Sequence, residues 1–147
     1  MNSKDQVCEN AVKYFAEGYN CAQSVLFGLS RCWGLENEVI PKIATGFGGG
    51  IGRCGSVCGA LAGGVMAISL KFGTNDSDSE KRAVTYELVS KLFRRFEEKH
   101  GSVMCRTLIN LDLSKPKDLE KAHREKISEK QCRHFIRTVI SITLDLH

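Results

Sequence analysis

Apolar positions recur at helical spacing along most of the chain. Val7, Ala11 and Phe15 fall at i, i+4 and i+8, with Cys8 and Val12 beside them, and Gly18 closes the stripe. Asn20 with Gln23 three positions later predicts a capped second helix, Cys21 to about Cys32, facing Val25, Leu26 and Leu29 inward. Gly34 ends it. A short third helix is expected around Glu36 to Thr45, with Pro41 in or near its first turn. The pattern then breaks: Gly46 to Gly55 holds six glycines in ten residues, which reads as a loop with positive φ or a close approach. Ser56 is expected to cap a helix running to about Phe72. That helix is apolar nearly all round and lined with Gly and Ala, so it belongs at the centre, with close neighbours.

Beyond Gly73, Ser77 and Glu80 predict a capping box, followed by a long helix to about Lys99 with Val84, Leu88, Leu92, Phe93 and Phe96 on its core face. Gly101 ends it, and Ser102 is expected to cap a short helix holding Cys105, Leu108 and Ile109. Leu111 to Lys126 is charged, contains Pro116, and reads as exposed, mobile chain. The last helix is expected from about Ser128, with Gln131 completing a capping box, and carries Phe135, Ile136, Val139, Ile140 and Leu144 inward. No strand pattern or internal repeat interrupts this. Residues 1–147 therefore read as a single all-α domain, a bundle of six or seven helices with a glycine-rich loop before a central apolar helix.

Composition narrows the function classes. With 147 residues, 42% hydrophobic and 26% charged, the chain can bury one core and is not intrinsically disordered. The net charge of +4 comes from 21 basic and 17 acidic residues interleaved without like-charge blocks, so no stripe for nucleic acid stands out. The longest apolar run, Val57 to Leu70, has 14 residues, short of the roughly 20 that span a bilayer. The N-terminus lacks the apolar core of a secretory signal, which points to the cytoplasm. Stable disulfides are rare there, and an odd count of seven cysteines excludes complete pairing within the chain.

Four cysteines coincide with expected helix starts. Cys21 follows the Asn20 cap, and Cys58, Cys105 and Cys132 lie two to four residues after Ser56, Ser102 and Ser128. Unpaired N–H groups and the positive end of a helix favour a thiolate, the form that attacks disulfides and binds metals. Cys8 and Cys32 lie on apolar faces and read as packing residues. The spacings of 37, 47 and 27 positions match no zinc-ribbon or ferredoxin motif, and Cys54 with Cys58 makes only a CxxxC pair. Position alone leaves the four balanced between a shared site and plain burial.

Other motifs carry less. The glycine loop has no preceding strand, which argues against a dinucleotide fingerprint, although the N–H groups of Gly48, Gly49 and Gly50 could surround an anion or a cofactor's sulfurs. His100, His123, His134 and His147 read as solvated residues. Arg53, Arg106 and Arg133 each adjoin a cysteine and could stabilise thiolates.

Gly18-Tyr-Asn-Cys21-Ala-Gln, the loop Gly46-Phe-Gly-Gly-Gly-Ile-Gly, Cys58-Gly-Ala-Leu-Ala-Gly63, Cys105 and Cys132 together resemble the redox-active protein family labelled C_GCAxxG_C_C, over almost the whole chain. Cys8, Cys32 and Cys54 lie outside its pattern. The resemblance implies redox activity through Cys21, Cys58, Cys105 and Cys132. They would serve as ligands of an iron–sulfur or zinc centre, or as a thiol–disulfide couple, in an oxidoreductase or electron-transfer protein with a redox partner protein. The alternative is a non-catalytic helical adaptor with buried or zinc-bound cysteines. Cys58 is expected to matter most, since it joins the glycine loop to the most apolar helix, while Gly59 and Gly63 let neighbours approach.

Overall fold

The computed structural model describes residues 3–146. The helical reading holds: α1 (Lys4–Ala16), α2 (Cys21–Cys32), α3 (Gly59–Phe72), α4 (Ser79–His100), α5 (Cys105–Ile109), α6 (Pro116–Arg124) and α7 (Arg133–Asp145) make up the bundle. A 3-10 segment, Lys42–Phe47, follows a cis Ile40–Pro41 bond, and a π-helical turn, Ser128–Cys132, runs directly into α7. No strand occurs among the described residues; Val57 and Met104 form one isolated antiparallel bridge. No described helix is long and apolar enough to cross a membrane.

The core forms where the apolar stripes meet. Val7 and Ala11 of α1, Val25, Leu26 and Leu29 of α2, Leu61 and Ile68 of α3, Leu92 and Phe96 of α4, and Ile136, Val139 and Ile140 of α7 are fully buried. Helix α3 is central, as its all-round apolarity demands, and its glycines set how close its neighbours lie. A Cβ on Gly63 would stand 2.5 Å from the Ala22 carbonyl oxygen of α2, and one on Gly64 would stand 2.6 Å from Val139 of α7. Small residues in both faces of a helix allow backbone-to-backbone packing that larger side chains would prevent.

Several local expectations are corrected. The short third helix is a 3-10 segment displaced toward the loop, because the Pro41 ring stands before it rather than in its first turn. Asp78, not Ser77, caps α4, accepting from the N–H groups of Glu80 and Lys81. Cys58 occupies the cap of α3 and Met104 that of α5, each without a capping side-chain bond, while Ser102 accepts from the Met104 N–H. Ser128 caps nothing, because Ile127 before it is already helical. Val84 is 54% exposed, because Thr85 beside it takes the inward position on that turn of α4. The stretch expected to be mobile contains α6, started by Pro116 at its first turn and tied back by the Asp118 carboxylate, which accepts from the Asp112 N–H at 2.8 Å.

His100 also departs from the solvated reading. It packs edge-on against Phe135 and lies 2.9 Å through Nε2 from the Thr138 hydroxyl. Desolvation, followed by Lys99 and His134, holds its pKa below the ordinary 6.5. The unfolded chain therefore takes up the proton first, so this contribution to stability is present above pH 6.5 and is lost as pH falls below it. Replacing His100 by Asn is expected to flatten the slope of Tm against pH below 6.5; an unchanged slope would assign it to other groups. His134 is exposed, and His147 lies outside the described residues.

Candidate functional site

Three stretches of backbone bring the cysteines together. The segment Gly55–Cys58 is bonded on one side to the glycine loop, with Ser56 N–H donating to the Gly50 carbonyl at 2.9 Å. On its other side Cys58 N–H donates to Val103 at 2.8 Å, and Cys105 N–H donates to Ser56 at 2.7 Å. This pairing fixes Cys58 relative to Cys105. The start of α2 is held to the 3-10 segment by Asn20 Nδ2 donating to the Thr45 carbonyl at 2.9 Å, while Asn20 and Gln23 close the capping box anticipated from sequence. Cys21 is thereby set beneath the loop and over Gly59, where a Cβ would overlap its sulfur. Gly50 is packed against Cys105, and a Cβ there would stand 2.6 Å from the Cys105 Cβ.

Cys21, Cys58, Cys105 and Cys132 all line one cavity of about 500 Å³. Gly48 and Gly49 line it as well; Gly50 is buried behind Cys105 and serves packing instead. The opposite wall is apolar, built from Leu108 of α5, Leu113, Leu119 of α6, Ile127 and Phe135 of α7. Arg53 and His123 also border it, and no lining residue is a carboxylate. The other cysteines stand apart. Cys8 is buried, with its thiol 3.6 Å from the Arg137 carbonyl; Cys32 is half-buried; Cys54 is exposed. All seven are free thiols. Among the described residues, no three of His, Cys, Asp and Glu are gathered tightly enough to hold a single metal ion.

The expectation that helix starts would lower these thiol pKa values is overturned. Burial pushes all four up: Cys105 to about 11, Cys132 to about 12, and Cys21 and Cys58 in the same direction. Their mutual repulsion adds to it, Cys21 acting on each of the other three. A helix N-terminus is worth about 0.3–1 kcal/mol, whereas full desolvation shifts a group by as much as about 3–5 pKa units, so burial wins. Cys132 does not even meet a free helix start, being helical on both sides. Backbone N–H groups of Gly49 and Ala60 do face the Cys21 sulfur, and those of Ala60 and Leu61 face Cys58, which partly offsets the cost.

Neutral buried thiols react slowly. Alkylation of the native, metal-free protein at pH 7 is expected to modify Cys54 first, the half-buried Cys21 and Cys132 more slowly, and the buried Cys58 and Cys105 only on unfolding. Peptide mapping of the modified sites would show this, and any of the four reacting as fast as Cys54 would contradict the burial argument.

The glycine loop is a left-handed turn. Gly49, Gly50, Ile51, Gly52 and Arg53 have φ of 65, 70, 67, 56 and 65° in succession. Glycine takes this conformation freely, but each of Ile51 and Arg53 gives up about 1–2 kcal/mol to adopt it, and a β-branched residue there is rare. Sequence identified the loop but not these two residues, because positive φ at isoleucine has no sequence signal. The apolar wall from α6 was also missed. Its one trace is Leu119 and Ala122, three positions apart within a charged segment.

The profile of the family described as "Putative redox-active protein (C_GCAxxG_C_C)" matches residues 19–146. A protein of Archaeoglobus fulgidus, itself described as uncharacterized, is 28% identical over 98% of this chain and 95% of its own length. No solved structure matches the chain.

Proposed function

Because the chain belongs to the C_GCAxxG_C_C redox-active family, we propose that it is an electron-transfer protein whose Cys21, Cys58, Cys105 and Cys132 hold an iron–sulfur centre. The observation that carries this reading is the convergence of these four thiols, from four separate elements, on one cavity without a carboxylate in its lining. Thiols without hard oxygen ligands select soft metals and iron–sulfur clusters. Four ligands of one zinc ion must all come within about 2.3 Å of a point. The cysteines are not gathered that tightly, and a cavity of about 500 Å³ fits a larger, multi-atom centre better. A thiol–disulfide couple fits less well, since exchange requires thiolates and burial suppresses them in all four.

When bound, such a centre supplies a one-electron couple through thiolate-ligated iron. The protein's part is to hold and tune. Gly49 and Ala60 direct N–H groups at the Cys21 sulfur, which stabilises the more negative, reduced state and raises the potential. Leu108, Leu113, Leu119 and Phe135 keep water from that side of the cavity, and Arg53 brings a positive charge to its edge. The test is anaerobic purification, followed where needed by addition of ferrous iron and sulfide, with metal analysis and visible spectra before and after dithionite. The expected result is bound iron and sulfide with absorption that bleaches reversibly. Stoichiometric, redox-silent zinc would support the adaptor alternative, and a metal-free protein with a reversible dithiol couple would overturn the ligand assignment.

A further inference from the structure

The wall that residues 112–127 contribute to the cysteine cavity is attached differently from the others. Hydrogen bonds across the fold tie the rest: Asn20 to Thr45 at the start of α2, Ser56 to Gly50 at the glycine loop, and Cys105 to Ser56 at α5. Among the described residues, no hydrogen bond or ion pair ties residues 112–127 to another part of the fold. The Asp112 N–H donates to the Asp118 carboxylate, Lys115 N–H to the Asp112 carbonyl at 3.0 Å, and Lys126 N–H to the His123 carbonyl at 3.3 Å. The ion pairs Glu120–Arg124 and Lys121–Glu125 are internal too. The bond from Lys130 N–H to the Lys126 carbonyl, at 3.0 Å, merely carries the chain on into Ser128–Cys132.

Apolar contact is what holds this wall down. Leu113, Ala122 and Ile127 are half-buried, pack on the core and line the cavity, while α6 itself buries none of its residues. Segments with so little buried apolar surface open at low free energy while the body stays folded. Both ends of the wall turn through a left-handed residue other than glycine, Asn110 with φ of 55° and Lys126 with φ of 53°. Hinges are commonly a few such positions at the ends of elements. Leu111, just past the first turn, is buried and fixes that end to the core. The bond between Asp112 and Asp118 joins the intervening turn to α6, so the wall is one piece. Cys21, Cys58 and Cys105 lie on elements outside it.

We propose that residues 112–127 are a lid over the four cysteines, which opens as one piece about Asn110 and Lys126 to admit iron and sulfide and closes to keep water from the centre. The loading role rests on the iron–sulfur reading above; the hinge motion does not. Opening exchanges the contacts of Leu113, Ala122 and Ile127 for water and leaves the internal bonds of the lid intact. The one-sided distribution of those bonds has this consequence: the wall can leave the body without any donor or acceptor losing its partner.

The test reads two buried thiols of the metal-free protein. Cys105 borders the cavity, whereas Cys8 lies away from it with its thiol near the Arg137 carbonyl of α7. Global unfolding exposes both, and opening of the lid exposes Cys105 alone. The protein is treated with iodoacetamide at about pH 9, where a wetted thiol is largely thiolate, well below its Tm, and the modified sites are mapped over time. Leu113→Ser removes an apolar contact of the closed lid and is expected to speed alkylation of Cys105 by about tenfold while leaving Cys8 unchanged. Ala122→Asp, elsewhere on the same apolar wall, should act in the same way. Lys117→Ser, at an exposed position of α6, should change either rate by less than about twofold. Equal acceleration of Cys105 and Cys8 in both apolar variants would mean that they weaken the whole fold, and no acceleration would mean that these residues seal nothing; either result overturns the lid. Iron and sulfide are expected to load into Leu113→Ser about tenfold faster than into wild type, and equal rates would overturn the gating role. Alkylation is read without iron, so a selective Cys105 response with no iron uptake sinks the iron–sulfur reading alone, and iron uptake without that response sinks the lid alone.

Discussion

Cys58→Ser is expected to abolish iron binding and the bleachable absorption while leaving the helical circular dichroism nearly intact. Cys58 is 5% exposed at the cap of α3, where its sulfur borders the shared cavity and its backbone is pinned to Val103. Serine keeps the size and is itself a favoured N-cap residue, so α3 should start as before. What serine lacks is a soft thiolate, and three remaining ligands hold a cluster weakly at best. Cys8→Ser and Cys32→Ser provide the contrast. Cys8 lies away from the cavity with its thiol near the Arg137 carbonyl, and Cys32 stands half-buried at the end of α2. Both variants should keep full iron content and lose at most core stability. Full iron in Cys58→Ser together with its loss in Cys32→Ser would show that the site has been placed wrongly.

Gly63→Val should be the most destabilising substitution in the central helix, by about 3 kcal/mol, or roughly 10 °C in Tm for a domain of this size. A Cβ at Gly63 would meet the Ala22 carbonyl oxygen at 2.5 Å, Val25 Cβ at 3.0 Å and Ala22 Cα at 3.1 Å. Two of these are backbone atoms and cannot swing aside, so α2 would have to move, taking Cys21 at its first turn with it. Replacing a mid-helix glycine ordinarily gains as much as about 1 kcal/mol of helix propensity, and here the clash exceeds it. Gly46→Ala is the control: its Cβ would meet nothing within 4 Å, and its Tm should not change measurably. Thermal melts of the metal-free variants would decide. A Gly63→Val protein as stable as wild type would mean that α2 and α3 are not in close contact.

Much of this molecule was legible along the chain. Helical periodicity gave the bundle, because each apolar stripe has to be covered by another, and Asn20 with Gln23 marked the start of α2 correctly, since a cap is closed by atoms three residues apart. The all-round apolarity of Gly59 to Phe72 determined that α3 is central. The cysteine pattern identified the family and singled out four of seven thiols. Local chemistry did less well where competing caps lay side by side: Ser77 against Asp78, or Ser56 against Cys58, differ by one or two positions and only packing chooses between them.

What the tertiary structure alone decided is whatever depends on distance across the fold. That Cys58 and Cys105 share a cavity follows from the pairing of Ser56 with Cys105 and of Cys58 with Val103, a bridge between segments nearly fifty positions apart that no periodicity encodes. The thiol pKa values reversed for the same reason. A helix start is a local property written in the sequence, but desolvation is the sum of everything packed around a sulfur, including α6 and α7 from the far end of the chain, and that larger sum settled their charge.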